Sequence, residues 1–224
     1  LDLRVDLEDQ VISGVVSLEL KRLDPRATQL VLDTKGLTIN DVNQKATDVL
    51  GATDKNQTIW VSRPFHLEKP DPILGTALVI ELPPSRKPVE SIRIDYETLP
   101  SAGALQWLTP KQTAGRKKAF LYTQSEPIGA RTWIPLQDTP QVRAPYDAVV
   151  HTSPDMLAVM SAENARSIIG IRKPFMDSLC LACVSQPPWF SSFAIRVQLI
   201  CTSETPASTN RRASRQLCAN RLRP

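Results

Sequence analysis

The sequence predicts an all-β fold, a sandwich-like or large twisted assembly of many short strands, and three observations predict it. Nineteen prolines stand against eight glycines in 224 residues. Proline removes a backbone donor and fixes φ, which disfavours long helices and favours rigid turns. Alternation of apolar and polar residues recurs along the first 165 positions, the signature of strands with one buried and one wet face. Turn clusters separate these runs at short, regular intervals.

Taken in order, the chain begins with a strand-like pattern in "LDLRVDLEDQ". In "VVSLELKRL", Val16, Leu18 and Leu20 oppose Ser17, Glu19 and Lys21. "TQLVLDT" and "TIWVS" supply further strands, with "DTKG" and "TDKNQT" as turns. "ALVIEL" alternates through Leu78, Ile80 and Leu82, between the turns "KPDP" and "PPSRKP". The clearest strand is "SIRIDYET", where Ile92, Ile94 and Tyr96 alternate with Arg93, Asp95 and Glu97. "KAFLYT", "YDAVVHT" and "SPDMLAV" complete the set. At least seven short strands without an amphipathic helix give a β sandwich or a large twisted sheet.

Composition divides the chain near Ala165. Residues 1–165 hold 18 Lys and Arg against 21 Asp and Glu, a net of −3, whereas residues 166–224 hold 9 against 2, a net of +7. The second part also carries all four cysteines (Cys180, Cys183, Cys201, Cys218), eight serines and one glycine, Gly170. The expected organisation is therefore a β domain over 1–165 and a poorly structured basic tail over 166–224. Two readings of that tail stay open: a disordered extension, or a coding sequence that leaves its frame near Ala165. The absence of an initiator Met points to a true N-terminus upstream. No basic-then-apolar leader and no uncharged run fit for a membrane span are present.

Most site signals are weak. Cys180-x-x-Cys183 lacks the second pair that a zinc ribbon needs and the βαβ setting of a redox motif. The sequon at Asn56 is a common chance triplet. Arg211 to Arg223 lack the interleaved aromatics of a nucleic-acid reader, so no nucleic-acid partner is expected. His66 reads as a surface-loop residue, and His151 as an outward position of "DAVVHT". The two histidines stand 85 residues apart, so no H-E-x-x-H helix can be written and neither a catalytic nor a metal site is assigned. The pointed stretch is "LYTQSEPIGARTWIPLQDTP", Leu121 to Pro140. It offers Gln124, Glu126, Arg131 and Asp138 in one polar loop, with Glu126 followed by Pro127, which disfavours a helical backbone before it.

That stretch, extended to "ALQWLTPKQTAGRKKAFLYTQSEPIGARTWIPLQDTPQVR", resembles the N-terminal β domain of the zinc aminopeptidases (gluzincins), in the branch that includes leukotriene A-4 hydrolase. "LVLDTKGLTI" and "LAVMSA" fit the same branch, and the resemblance spans about residues 1–164. It implies a saddle-shaped β domain followed by a thermolysin-like catalytic domain, with the zinc on that second domain. It also implies that Gln124 and Glu126 bind substrate, Glu126 holding the free α-amine of a peptide. The epoxide-hydrolysing members carry an amide where this chain has Glu126, which favours the plain aminopeptidase.

The resulting expectation is an N-terminal fragment of a zinc metallo-aminopeptidase that removes N-terminal residues from peptides. Its partners are peptide substrates with a free N-terminus and the missing catalytic domain. The chain itself holds no cofactor, zinc being that of the full-length parent, and alone is inactive as a peptidase. The alternative is a stand-alone, non-catalytic β module that binds peptide N-termini. A body without cysteines suits a reducing interior, so a cytoplasmic location is favoured. Arg131 and Asp138 are expected to brace the loop as an ion pair, and Trp107 and Trp133 to pack rather than to bind a ligand.

Overall fold

The computed structural model describes residues 1–46, 58–85, 87, 89–139, 141–142, 144–153 and 156–161, and the backbone of 178–182 and 197–201. The sequon at Asn56, Gly170, Cys183, Cys218 and the arginines from Arg211 to Arg223 lie outside the described residues. Cys180 and Cys201 are described only as backbone.

Among the described residues, all regular elements except two single 3-10 turns are strands. They are β1 (Asp2–Asp6), β2 (Val11–Lys21), β3 (Gln29–Thr34), β4 (Leu37–Ala46), β5 (Ile59–Ser62), β6 (Phe65–Leu67), β7 (Thr76–Glu81) and β8 (Val89–Thr98). The chain continues through β9 (Leu105–Leu108), β10 (Phe120–Thr123), β11 (Ala148–Thr152), β12 (Met156–Met160), β13 (Ser178–Ala182) and β14 (Val197–Cys201).

Three sheets result. A seven-stranded sheet runs β13-β11-β1-β2-β8-β4-β5, a four-stranded sheet β12-β14-β10-β9, and a three-stranded sheet β3-β7-β6. Among the described residues, every strand pairing is antiparallel except β1 with β11. The parallel pair joins residues 147 positions apart, as in Leu3 with Val150, far enough for the crossover that parallel strands need.

The predicted alternation sets the core. In β8, Ile92, Ile94 and Tyr96 are fully buried while Arg93 and Glu97 face solvent. They meet Leu3, Ile12, Val16 and Val42 of the same sheet, Leu32, Leu78 and Ile80 of the three-stranded sheet, and Leu121 and Met156 of the third. One continuous hydrophobic core thus unites the sheets. Within β7, Val79 is buried as well as Leu78 and Ile80. It points to the other face, where it lies between Val31 and His66 in register.

Two departures from the sequence reading have physical causes. β4 carries no simple alternation because a bulge between Ile39 and Asp41 shifts its register. Leu37 and Ile39 point inward before it, Val42 and Gln44 after it, so the parity flips. His66 lies on a strand, not in a loop: β6 pairs with β7 in three-residue register, although the His66 side chain is exposed. Two short strands, β13 and β14, are described beyond Ala165. β13 pairs with the flank of β11, and β14 bridges β12 and β10, filling backbone edges that would otherwise stand open.

Candidate functional site

The loop from Gln124 to Asp138 leaves β10 and runs between the four-stranded and three-stranded sheets. It is tied at its entry, where the Gln124 amide donates to the Ala104 carbonyl at 2.9 Å. The next residue, Ser125, is fully buried, and its Oγ accepts the Trp133 indole N–H at 3.1 Å. Glu126 then emerges exposed, joined to Pro127 through a cis peptide bond. The chain closes back at once: the Gly129 amide donates to the Ser125 carbonyl at 2.7 Å. A Cβ on Gly129 would lie 3.1 Å from both the Gln124 and Ser125 carbonyl oxygens, so a larger residue would press on this turn. A 3-10 turn, Ala130–Thr132, follows and is buried throughout.

Arg131 is the anchor. Its side chain is nearly inaccessible, and its Nε donates to Asp138 Oδ2 at 3.0 Å. The Arg131 backbone amide donates to the same oxygen at 3.2 Å, and Nη2 to the Asp138 carbonyl at 2.9 Å. The expected brace is therefore present, with four further ties. Nη1 donates to the Leu74 carbonyl at 2.6 Å and stands 3.5 Å from Asp33 Oδ1. Asp33 Oδ2 in turn accepts the Asp138 amide at 2.8 Å. The Arg131 carbonyl accepts the Lys35 amide at 2.8 Å. Around this pair the backbone of Asp33 bridges to Leu136, so the loop continues the edge of β3.

Packing holds the loop from beneath. Trp133 is fully buried and Ile134 nearly so, both within the hydrophobic core. Thr132 Oγ1 accepts the Ala104 amide at 3.1 Å and donates to the Gly129 carbonyl at 2.7 Å. Trp107, half-buried against the core, is likewise a packing residue.

Glu126 and Gln124 share one cavity of about 440 Å³, whose other walls include Lys35, Ile73, Leu99 and Ser101. Gln124 is half-buried, and its Oε1 is buried without a hydrogen-bond partner. The Ile73 wall belongs to a tight turn in which Asp71 Oδ1 accepts the amides of Ile73 and Leu74, both at 2.7 Å. Those two bonds, aided by the charge of Lys35, hold the Asp71 carboxyl below its ordinary range. Gly75 ends the turn at φ +85°, where a Cβ would lie 2.3 Å from the Thr34 carbonyl; only glycine fits there. Of the residues lining this cavity, Gln124 and Glu126 are the ones named from the sequence, whereas Lys35, Ile73 and Leu99 are not. Nothing in their local sequence marks them, since they arrive from the ends of β3, β7 and β8.

Zinc, which the resemblance implies for the parent enzyme, takes three or four His, Cys or carboxylate donors. Among the described residues no group of three or more such side chains could hold a metal ion. His66 stands beside Glu68 at 3.3 Å, and His151 beside Asp2 at 2.9 Å, each with a single carboxylate. The described residues do not fit zinc. Also among them, no helix is long and apolar enough to cross a membrane.

Comparison with known proteins converges on one group. Residues 1–168 match the Peptidase M1 N-terminal domain. The chain is 34% identical over 156 residues to leucine aminopeptidase 2 of Yarrowia lipolytica, which covers 70% of this chain and 22% of that protein. It is 34% identical over 167 residues to leukotriene A-4 hydrolase of Xenopus laevis, covering 72% and 25%. The solved structure of yeast LTA4 hydrolase in complex with bestatin superposes with a TM-score of 0.71 at 27% identity. That match covers 90% of this chain and 28% of the yeast chain. The chain thus spans about a quarter of the length of these relatives.

Proposed function

The chain belongs to the Peptidase M1 N-terminal domain family, and from that premise we propose that it is the substrate-amine-binding part of a zinc metallo-aminopeptidase. Peptides with a free N-terminus are its ligands. Its relatives of four times the length are called aminopeptidases and leukotriene A-4 hydrolases, and a further catalytic domain is the partner this role requires. The role of the described domain is binding.

One observation carries the reading. Glu126 lines the cavity as an exposed carboxylate on a loop whose base is buried and cross-tied, and Gln124, which lines the same cavity, has a buried amide oxygen without a partner. An α-ammonium brings a positive charge and three donors. It satisfies the carboxylate directly and the amide oxygen after rotation of the Gln124 side chain. An aminopeptidase must recognise the first residue, and a fixed anion facing the ammonium does so. At ~4 Å and an effective dielectric near 20, such a pair attracts by about 4 kcal/mol before desolvation. Exposure of Glu126 lowers the net value and makes it sensitive to salt.

The test is an NMR titration of the chain with leucinamide and with N-acetyl-leucinamide. Leucinamide is expected to shift resonances of Gln124 to Gly129 saturably, while the acetylated compound leaves them unmoved at the same concentration. Equal shifts from both would overturn the reading.

A further inference from the structure

The hairpin that joins β9 to β10 carries a charge cluster apart from the cavity. Between Glu97 and Glu126 the chain holds no carboxylate and four cations, Lys111, Arg116, Lys117 and Lys118, all within eight positions. Residues 1–165 as a whole carry a net −3, so the hairpin is a basic point on an acidic domain. None of the four cations lines the cavity of Glu126.

Hydrogen bonds within the loop hold it in shape. The Thr109 amide and hydroxyl donate to Gln112 Oε1 at 2.9 and 2.8 Å. Thr113 Oγ1 lies 2.9 Å from the Pro110 carbonyl and 2.8 Å from the Lys118 carbonyl, its one proton serving either. Lys111 and Lys117, the chain neighbours of those two residues, are thereby brought to one end of the hairpin. Arg116 takes a φ of +53°, a left-handed backbone that few non-glycine residues adopt, and its amide donates to the Thr113 carbonyl at 3.2 Å. Lys111, Arg116 and Lys117 are exposed, and among the described residues no carboxylate pairs with any of them. Lys118 is half-buried.

The other exposed residues of this loop are Gln112, Ala114 and Gly115. They offer neither the large apolar anchor of a protein interface nor the aromatic platform on which bases stack. A fluid array of anionic headgroups requires neither, because lipids gather beneath fixed cations. Each Lys or Arg at such a surface strengthens attachment by about fivefold. We propose that the β9–β10 hairpin is a docking point for an anionic lipid surface, gripped through Lys111, Arg116 and Lys117. Attachment is electrostatic, without insertion, and weakens as salt shortens the reach of each charge.

The experiment is co-sedimentation of the full chain with vesicles of phosphatidylcholine and phosphatidylserine in equal parts, at low salt, with pure phosphatidylcholine vesicles as reference. Residues 166–224 carry a net +7 and add their own attraction, so two variants of equal net charge are compared. One is Lys111→Gln/Arg116→Gln/Lys117→Gln; the other is Lys21→Gln/Lys45→Gln/Lys69→Gln, which removes three exposed cations elsewhere. Wild type is expected to bind the anionic vesicles and not the neutral ones. The hairpin variant is expected to lose affinity by at least about tenfold, and the other by less than about threefold. Lys111→Arg/Lys117→Arg, which keeps the charge, is expected to bind as wild type does. Equal losses in the two Gln variants overturn the proposal, as does wild-type affinity in the hairpin variant. A tenfold loss in the Arg variant would assign the effect to loop shape and overturn it too. So does failure of wild type to sediment with anionic vesicles, whether or not it then binds an acidic peptide or a single-stranded oligonucleotide.

Discussion

At the scale of single residues, the site depends on an arginine that need not touch a ligand. Arg131 holds Asp138, Asp33 and the Leu74 carbonyl at once, so it joins the Glu126 loop to the Ile73 wall of the cavity. Removing one partner of a buried pair leaves an uncompensated charge, which costs about 3–5 kcal/mol. Asp138→Ala is expected near the low end, because Asp33 remains 3.5 Å from the guanidinium. Urea unfolding checks this through a lower midpoint at unchanged slope. The pair was legible in the sequence as a loop brace, since both residues flank one short turn. Asp33, Leu74 and Lys35 were not legible, because a contact between residues some 57 positions apart, as from Arg131 to Leu74, leaves no local pattern.

At the scale of elements, strands with strict alternation were readable and strands without it were not. β8 shows its buried face in the letters themselves, through Ile92, Ile94 and Tyr96. β4 hides its face because the bulge flips parity and because Asn40, Asp41, Asn43 and Gln44 have low strand propensity. Its Gln44 is inward for a reason that only the assembled sheet reveals. Arg22, just past β2, forks onto Glu90 of β8 through Nε at 3.0 Å and Nη2 at 2.9 Å. Gln44 donates to the same carboxylate at 3.1 Å, and Arg63, just past β5, donates to Gln44 Oε1 at 2.7 Å. Arg22 also reaches the carbonyls of Ala27 and Pro83. This nearly buried network clamps one end of the seven-stranded sheet.

Burial alone would push the Glu90 carboxyl up, but hydrogen bonds from Arg22, Ser85 and Gln44 and the Arg22 charge outweigh it and hold the carboxyl below its ordinary range. The folded state therefore favours the charged form. The resulting stability is fully present above the unfolded pKa of about 4.3 and is lost as pH falls through the lower folded value. Glu90→Gln is expected to be less stable than wild type near pH 7 and to show a flatter loss of stability below about pH 4.3. Thermal unfolding across pH 3 to 7 measures it; parallel curves for the two proteins would contradict the assignment.

At the scale of the whole molecule, three sheets on one core present a loop that none of them could hold alone. The four-stranded sheet supplies Gln124, the three-stranded sheet supplies Lys35 and the Ile73 turn, and β8 of the seven-stranded sheet leads into Leu99. The family resemblance was legible because the loop's own residues are contiguous, whereas the cavity is assembled from three separate parts of the chain. The central claim is that Glu126 binds the free amine of a peptide. Its most direct test is the affinity of leucinamide for wild type and for Glu126→Gln, which keeps the shape and removes the charge. The account predicts affinity lower by about fivefold or more in the variant, the value of roughly 1 kcal/mol for one solvent-screened ion pair, with the gap narrowing as salt rises. Equal affinities at low salt would contradict it.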